Sequence, residues 1–253
     1  MASYSFTLPS RTLSFPVEIS VQLPTGEDIP TLWLLHGANS DHREWLTQTS
    51  LMRYIAARNL AVVTVSVHNG FYVNMAWGAD YADFLEGEFI DAVRTLFPCL
   101  SRKREKNYLA GASMGGFGAF RLGLNRMDVF SKLGSFAGSI EMPTIIERNA
   151  RGIQPGGADF TWAFGGYEQM INNKNDVVYL ARQCQDKSLL PEMYMISGTE
   201  DFGYALCTIA RDDMIAAGGK VIWVETPGEH SYDCWDPLLP GFLDWLEGKE
   251  AAT

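Results

Sequence analysis

Cysteine is scarce in this sequence of 253 residues. The four that occur are far apart and form no Cys-x-x-Cys pair: Cys99, Cys184, Cys207 and Cys234. A small secreted domain stabilised by disulfides needs a denser set of cysteines, so this spacing excludes a disulfide framework. We therefore expect four free thiols and a reducing compartment.

Long apolar runs are also missing. Residues 1–9 contain no basic start followed by an apolar stretch, so we expect them not to be a secretory signal peptide. No segment approaches the roughly 20 consecutive apolar residues that a membrane-spanning helix requires. These absences predict a protein with no membrane association and a cytoplasmic location.

Positive charge is in deficit. The chain has 20 lysines and arginines against 30 aspartates and glutamates, a net charge of −10. An acidic protein repels phosphate backbones, so we expect no nucleic-acid partner. The one basic cluster, residues 102–106, is better interpreted as a solvated turn before a strand than as a binding patch.

What the sequence does contain is an alternation of short apolar runs and helical patterns. Residues 4–22 alternate and carry prolines, as antiparallel edge strands do. The later runs are continuously apolar, which is typical of strands buried on both faces of a parallel sheet. They are Thr31–Leu35, Ala61–Val67, Tyr108–Ala110, Leu133–Ala137, Met193–Ile196 and Val221–Val224.

Helical patterns lie between these runs, and together they predict one α/β domain over residues 1–253, with a mostly parallel sheet flanked by helices. The clearest apolar stripe covers residues 82–97; others cover 176–184, 204–217 and 236–247. Residues 139–175 interrupt the alternation with prolines, glycines and two adjacent asparagines. We interpret them as a small cap-like excursion that shapes a pocket, rather than as a path over the sheet edge.

The segment that points to chemistry is Gly111-Ala112-Ser113-Met114-Gly115, a G-x-S-x-G pattern between an apolar strand and a helical pattern. A nucleophilic serine must sit on a very tight strand-to-helix turn, and glycines two residues away on either side remove side chains that would clash. The pattern alone is common, but this strand–turn–helix context is what the motif requires. We therefore predict Ser113 as a nucleophile.

A serine hydroxyl needs a base, and histidine is scarce, with only four in the chain. In this architecture the chain order is serine, acid, histidine, and His230 alone follows Ser113. It lies after the apolar run Val221–Val224, at the carboxyl end of a strand. Asp201 is the first choice for the orienting acid because it follows the strand Met193–Ile196; the adjacent Glu200 is the second choice.

Two backbone donors are needed for the oxyanion of the tetrahedral intermediate. The N–H of Met114, the residue after the nucleophile, is one. We assign the other to the N–H of Ala38, with Asn39 as the alternative, in the glycine-containing loop after the strand Thr31–Leu35. His36 is interpreted as a partly buried histidine that braces this loop.

With these residues in place, the chain resembles the esterase D-like branch of the α/β-hydrolases, and most closely the bacterial tributyrin esterases. The resemblance covers about residues 30–235 in order. It is carried by Leu34-Leu35-His36-Gly37, Asn69-Gly70-Phe71-Tyr72, Ser101-Arg102-Lys103-Arg104-Glu105-Lys106, Gly111-Ala112-Ser113-Met114-Gly115-Gly116, Gly198-Thr199-Glu200-Asp201-Phe202 and Glu229-His230.

The resemblance implies an eight-stranded α/β-hydrolase core and hydrolysis of short-chain acyl esters without a metal or cofactor, with the triad Ser113, Asp201 and His230. The same branch contains S-formylglutathione hydrolases, acetylxylan esterases and feruloyl esterases, so a thioesterase and a carbohydrate esterase stay as alternatives. Relatives are commonly oligomers, so a homo-oligomer stays open, although the sequence has no interface signature. The candidate pocket walls are Phe71, Trp77, Trp162, Phe164 and Trp235.

Overall fold

The chain folds around one eight-stranded sheet in the computed structural model, which describes residues 1–153 and 160–249. The strand order is β1-β2-β4-β3-β5-β6-β7-β8; β1 and β2 are antiparallel to their neighbours, and the other pairs are parallel. This confirms the mostly parallel sheet expected from the sequence. The strands are β1 (Ala2–Pro9), β2 (Pro16–Leu23), β3 (Thr31–Leu35), β4 (Ala61–Val65), β5 (Asn107–Ala112), β6 (Lys132–Phe136), β7 (Glu192–Gly198) and β8 (Val221–Thr226).

Helices cover both faces of the sheet, as the alternating pattern predicts. They are α1 (Glu44–Gln48), α2 (Leu51–Ile55), α3 (Tyr81–Asp83), a π-helical segment (Phe84–Phe89), α4 (Ile90–Leu96), α5 (Met114–Asn125), α6 (Met142–Ala150), α7 (Thr161–Phe164), α8 (Tyr167–Met170), α9 (Val177–Gln183), α10 (Tyr204–Ala216), α11 (Tyr232–Trp235) and α12 (Leu239–Leu246). Three short 3₁₀ turns lie at Arg104–Lys106, Lys187–Leu189 and Asp236–Leu238.

The central strands are buried on both faces because their side chains alternate between two cores. In β3, Trp33 and Leu35 belong to one core, together with Phe117 of α5. Leu32 and Leu34 point the other way into a second core, which contains Phe242 of α12. A continuous apolar run is what such a two-sided strand requires, and the predicted bounds of β3 are confirmed.

The outermost strand, β8, corrects one expectation. The run Val221–Val224 was expected to be buried on both faces, but each residue of β8 is half-buried or exposed. The physical reason is its place at the sheet edge, where β7 is the one strand beside it in the described parts of the chain. Polar side chains cover it there: the Arg211 guanidinium lies 5.0 Å from the Trp223 ring, and Trp223 Nε1 donates to Glu225.

The stripe over residues 82–97 is helical, but it is not one regular α-helix. The chain passes from α3 through the π-helical segment into α4, and the helix ends just before Pro98, as expected. The last predicted helix, over residues 236–247, is divided in a similar way into a 3₁₀ turn and α12.

The excursion at 139–175 contains α6, α7 and α8. Its apolar side chains join the core that contains Trp33 and Phe117. Met142, Ile145, Phe164 and Met170 are all buried there. Pro155, Gly156 and Gly157, which contributed to the prediction of an excursion, lie outside the described residues.

All four cysteines are free thiols, with Cys184 and Cys207 buried. Within the ranges 1–153 and 160–249, no helix is both long enough and apolar enough to cross a bilayer.

The sheet positions the candidate site because parallel strands end at one edge. Leu35, Ala112, Gly198 and Thr226 are the last residues of β3, β5, β7 and β8. The loops that follow these four strands therefore meet at the carboxyl edge, where the sites of open α/β sheets form. These are the loops to which the sequence assigned Ala38, Ser113, Asp201 and His230.

Candidate active site

Ser113 forms the whole connection between β5 and α5. Its backbone has φ 54° and ψ −115°, outside the regions that L-residues ordinarily occupy. The turn is held by a hydrogen bond from Ser113 N–H to the carbonyl of Phe136, at 2.9 Å. A strained residue that its surroundings fix in this way is typical of functional positions.

The two glycines of the motif are required by close backbone contacts. A Cβ atom on Gly111 would lie 2.3 Å from the carbonyl oxygen of Gly115. A Cβ atom on Gly115 would lie 2.5 Å from the carbonyl oxygen of Leu35 and 2.6 Å from that of His36. The turn therefore presses directly against the end of β3, which brings the start of α5 beside the loop that follows β3.

Asp201 and His230 form a hydrogen-bonded pair. The Asp201 Oδ2 atom lies 2.6 Å from His230 Nδ1, and the Asp201 carboxylate is completely buried. Its other oxygen accepts the N–H of Gly203 at 2.7 Å. A carboxylate can only accept, so Nδ1 carries the proton and Nε2 is left as the basic nitrogen. Glu200, the second choice for the acid, is exposed.

The imidazole of His230 lies between two aromatic rings. The Phe202 ring centroid is 4.6 Å from it, and the Trp235 ring meets it edge-on at 5.0 Å. Trp235, a candidate pocket wall, is buried in the core behind the histidine. Phe202 is 79% exposed and lies on the outer side. Phe202 is not among the site residues predicted from the sequence, although its position directly after Asp201 is the signal that could have identified it.

At the start of the loop after β3, residues 37–39 include one backbone N–H without an acceptor among the described residues, that of Ala38. Gly37 N–H is bonded to Glu44 Oε2 at 2.6 Å, and Asn39 N–H is bonded to Asn69 Oδ1 at 2.6 Å. Ala38 is exposed, and its N–H has no acceptor in the ranges that the structure covers. The bond made by Asn39 argues against this residue as the oxyanion donor. Met114 is the first residue of α5. Its N–H, like the other first-turn amides of a helix, has no intrahelical acceptor.

His36 holds this loop, and it is fully buried rather than partly buried as predicted from the sequence. Its Nε2 accepts the N–H of Val67 at 3.0 Å, so its Nδ1 carries the proton and donates to the carbonyl of Gly37 at 2.7 Å. Burial lowers the pKa of His36 below its usual 6.5. The neutral ring is therefore a structural brace, as interpreted from the sequence.

Three of the candidate pocket walls come together. Phe71 packs against Phe164 at 5.4 Å and Trp162 at 5.8 Å between ring centroids. Phe117, four residues after Ser113, lies 5.7 Å from Phe164 and joins this aromatic cluster to α5. Trp77 is linked to this cluster through its backbone N–H, which donates to the carbonyl of Trp162, and the residue is 75% exposed.

Within the described parts of the chain, no cluster of three His, Cys, Asp or Glu side chains is arranged to hold a metal ion. The loops at the carboxyl edge of the sheet carry a serine on a strained turn and a histidine paired with a buried carboxylate, beside the backbone N–H groups of Ala38 and Met114. Such a set can carry out nucleophilic acyl transfer with protein groups alone.

The sequence of this chain is similar to those of known proteins. The model of a family described as "Putative esterase" matches residues 10–245. An acetyl esterase of Caldicellulosiruptor saccharolyticus is 28% identical over 224 residues, which is 87% of this chain and 84% of that enzyme.

Two solved structures from Staphylococcus aureus are similar over almost the whole chain. The fluorophosphonate-binding serine hydrolase FphF has a TM-score of 0.84 and 28% identity, covering 97% of this chain and 98% of that one. The S-formylglutathione hydrolase FrmB has a TM-score of 0.82 and 27% identity with the same coverage of 97% and 98%.

Proposed function

Because the chain belongs to the esterase family and is a serine hydrolase of carboxylic esters, we propose that it hydrolyses short-chain acyl esters of the tributyrin type. Ser113, His230 and Asp201 act as its catalytic triad. The observation that carries the proposal is the 2.6 Å contact between Asp201 and His230 at the sheet edge where Ser113 forms its strained turn.

Acylation begins when Ser113 Oγ attacks the ester carbonyl while His230 Nε2 takes its proton. The buried Asp201 carboxylate stabilises the imidazolium that forms, because it stays ionised and accepts the hydrogen bond from Nδ1–H. Collapse of the tetrahedral intermediate passes the proton from Nε2 to the leaving alcohol. The product of this half-reaction is an ester between Ser113 and the acyl group.

The oxyanion of the tetrahedral intermediate is stabilised by the N–H groups of Ala38 and Met114. Two features support this assignment. Ala38 N–H is the amide of its loop that is exposed and without an acceptor among described residues, and Met114 N–H lies at the positive end of the α5 dipole. Water activated by His230 then attacks the acyl-enzyme and releases the acid.

A small acyl group is supported by the aromatic cluster of Phe71, Trp162, Phe164 and Phe117. Phe71 and Phe164 are buried, so the space beside α5 is already filled with rings. The similarity to an acetyl esterase supports the same size class. We propose that Trp77 and Trp162 border the opening of the acyl pocket, and that Trp235 acts through His230.

Thioester hydrolysis is the second candidate function. It is favoured by one observation, the 27% identity over 97% of this chain to an enzyme named S-formylglutathione hydrolase. The same triad can attack a thioester, so the two functions differ only in the leaving group that the site accepts.

The test is hydrolysis of p-nitrophenyl acetate, butyrate, hexanoate and decanoate by the purified protein and by Ser113→Ala. We expect the acetate and butyrate to be the best substrates and the variant to lose about 10⁴-fold or more of kcat. Unchanged turnover in Ser113→Ala would refute the triad, and a preference for decanoate would refute the short-chain assignment. Matched acetyl ester and acetyl thioester substrates, together with S-formylglutathione, decide between the two functions.

A further inference from the structure

The carboxylate of Glu44 lies directly under the loop that carries Ala38. Glu44 is the first residue of α1, and its Oε2 accepts the N–H of Gly37 at 2.6 Å. A Cβ atom on Gly37 would lie 3.6 Å from each carboxylate oxygen of Glu44. The acid is therefore packed against the loop backbone rather than extended into solvent.

The two peptide groups that flank Gly37 are both anchored. Glu44 fixes the N–H on one side, and His36 Nδ1–H donates to the Gly37 carbonyl on the other at 2.7 Å. In a trans peptide the C=O and the following N–H point in opposite directions, so a fixed Gly37 carbonyl sets the direction of the Ala38 N–H. Glycine imposes little restraint of its own, so the direction of this donor depends on the external anchors.

The same carboxylate is close to the loop that carries His230. Burial first, and then the negative charge of Glu44, raise the pKa of the Tyr232 hydroxyl, and Tyr232 is two residues after His230. The next residue of α1, Trp45, donates from Nε1 to the carbonyl of Leu35 and packs edge-on against Tyr232 at 5.2 Å. The start of α1 therefore connects the oxyanion loop with the histidine loop.

We propose that Glu44 is a positioning residue of the oxyanion hole. Glu44 holds the Gly37 N–H while His36 holds the Gly37 carbonyl, and both anchors together keep the Ala38 N–H pointing at the developing oxyanion. This inference rests on the proposed function, because Ala38 has this role only if Ser113 attacks a carbonyl. The acceptor oxygen of Glu44 carries the effect, while its charge is secondary. Loss of the anchor weakens transition-state binding more than substrate binding.

The test compares Glu44→Ala, Glu44→Asp and Glu44→Gln in the full-length protein on p-nitrophenyl butyrate. Loss of a complete oxyanion donor costs about 10²–10³-fold in kcat. For a donor that is misaligned rather than removed, we expect Glu44→Ala and Glu44→Asp to lose about 10–100-fold in kcat with KM within about twofold. Glutamine keeps an acceptor oxygen at the same reach, so Glu44→Gln should keep most of the wild-type kcat.

Glu88→Ala is the matched control, because it also removes a carboxylate that accepts loop amides, those of Arg11 and Thr12. It should leave kcat unchanged even where it lowers Tm. If Glu44→Ala does not fold, Glu44→Asp replaces it, since aspartate retracts the carboxylate and retains the charge. Phenylboronic acid forms a tetrahedral adduct with a catalytic serine. In Glu44→Ala and Glu44→Asp, the affinity for this compound should fall in parallel with kcat.

The inference is overturned if Glu44→Asp has wild-type kcat and wild-type boronate affinity. It is also overturned if kcat falls and Glu44→Gln fails to recover it, or if Glu88→Ala loses as much kcat as Glu44→Ala. Failure of the proposed function has a different signature, since wild-type protein and Ser113→Ala would then hydrolyse the ester equally.

Discussion

The ring of Phe202 packs on the imidazole of His230 with 4.6 Å between centroids, although Phe202 is 79% exposed. An exposed aromatic side chain contributes little to folding, so this contact acts on the histidine. An aromatic pair of this kind is worth about 0.5–1.5 kcal/mol, which corresponds to about 2–10-fold in rate. We expect Phe202→Ala to lower kcat by this factor with Tm nearly unchanged, measured by ester hydrolysis and thermal unfolding. Phe202→Tyr keeps the ring and should keep the activity, and equal kcat in all three proteins would contradict this role.

Replacement of the buried acid tests which carboxylate orients His230. In Asp201→Asn the side-chain amide can donate to Nδ1 and so favours the tautomer in which Nε2 is protonated and no longer basic. We expect a loss of about 10³–10⁴-fold in kcat. Glu200→Gln is the control at the adjacent exposed position and should keep nearly full activity. A larger loss in Glu200→Gln than in Asp201→Asn would transfer the role to Glu200.

The sequence could predict the parts of this fold whose signal is local. The run Thr31–Leu35 is apolar at each position because both faces of β3 are buried, and its bounds are confirmed. Chain order together with a position directly after a strand selected His230 and Asp201, and the structure brings these two side chains together. Both are consequences of strand ends meeting at one edge of a parallel sheet.

Features that depend on neighbours distant in the chain could not be predicted. The run Val221–Val224 has the same pattern as an inner strand, but whether another strand lies beside it is decided by topology. The contact between Glu44 and Gly37 depends on how the loop turns under itself, and no residue pattern marks it. The π-helical segment Phe84–Phe89 likewise has no local signal in the sequence.

The hydrogen bonds of Glu88 predict a contribution to the free energy of unfolding that is lost in acid. Its carboxylate accepts hydrogen bonds from Ser10 Oγ and from the N–H groups of Arg11 and Thr12. Burial alone would raise its pKa, but these donors outweigh burial and lower the pKa from 4.5 to about 2. A lowered pKa means that the stabilisation is present above about pH 4.5 and is lost as the pH falls towards 2.

Glu88→Gln therefore should reduce the free energy of unfolding by about 1–2 kcal/mol near neutral pH, where solvent screening limits the effect. The difference between variant and wild type should shrink below pH 4.5, because the wild-type carboxyl is then being protonated. Urea unfolding of both proteins at several pH values between 3 and 7 measures this difference in the free energy of unfolding. A difference that stays constant over this range would show that the charge on Glu88 does not contribute.

Gly115 and Gly87 form a matched pair for the packing argument at the serine turn. A methyl group on Gly115 would meet the carbonyl oxygens of Leu35 and His36 at 2.5 and 2.6 Å, and backbone atoms cannot move aside as a flexible side chain can. We expect Gly115→Ala to destabilise the protein by about 3 kcal/mol or more, and to lose activity because the oxyanion loop is displaced. A methyl group on Gly87 meets no atom of the described residues within 4 Å. Since alanine favours helix, Gly87→Ala should be neutral or stabilising by up to about 1 kcal/mol. Urea unfolding measures the free energy of unfolding of both variants. Similar values for the two would mean that the turn is not packed as tightly against β3 as these distances require.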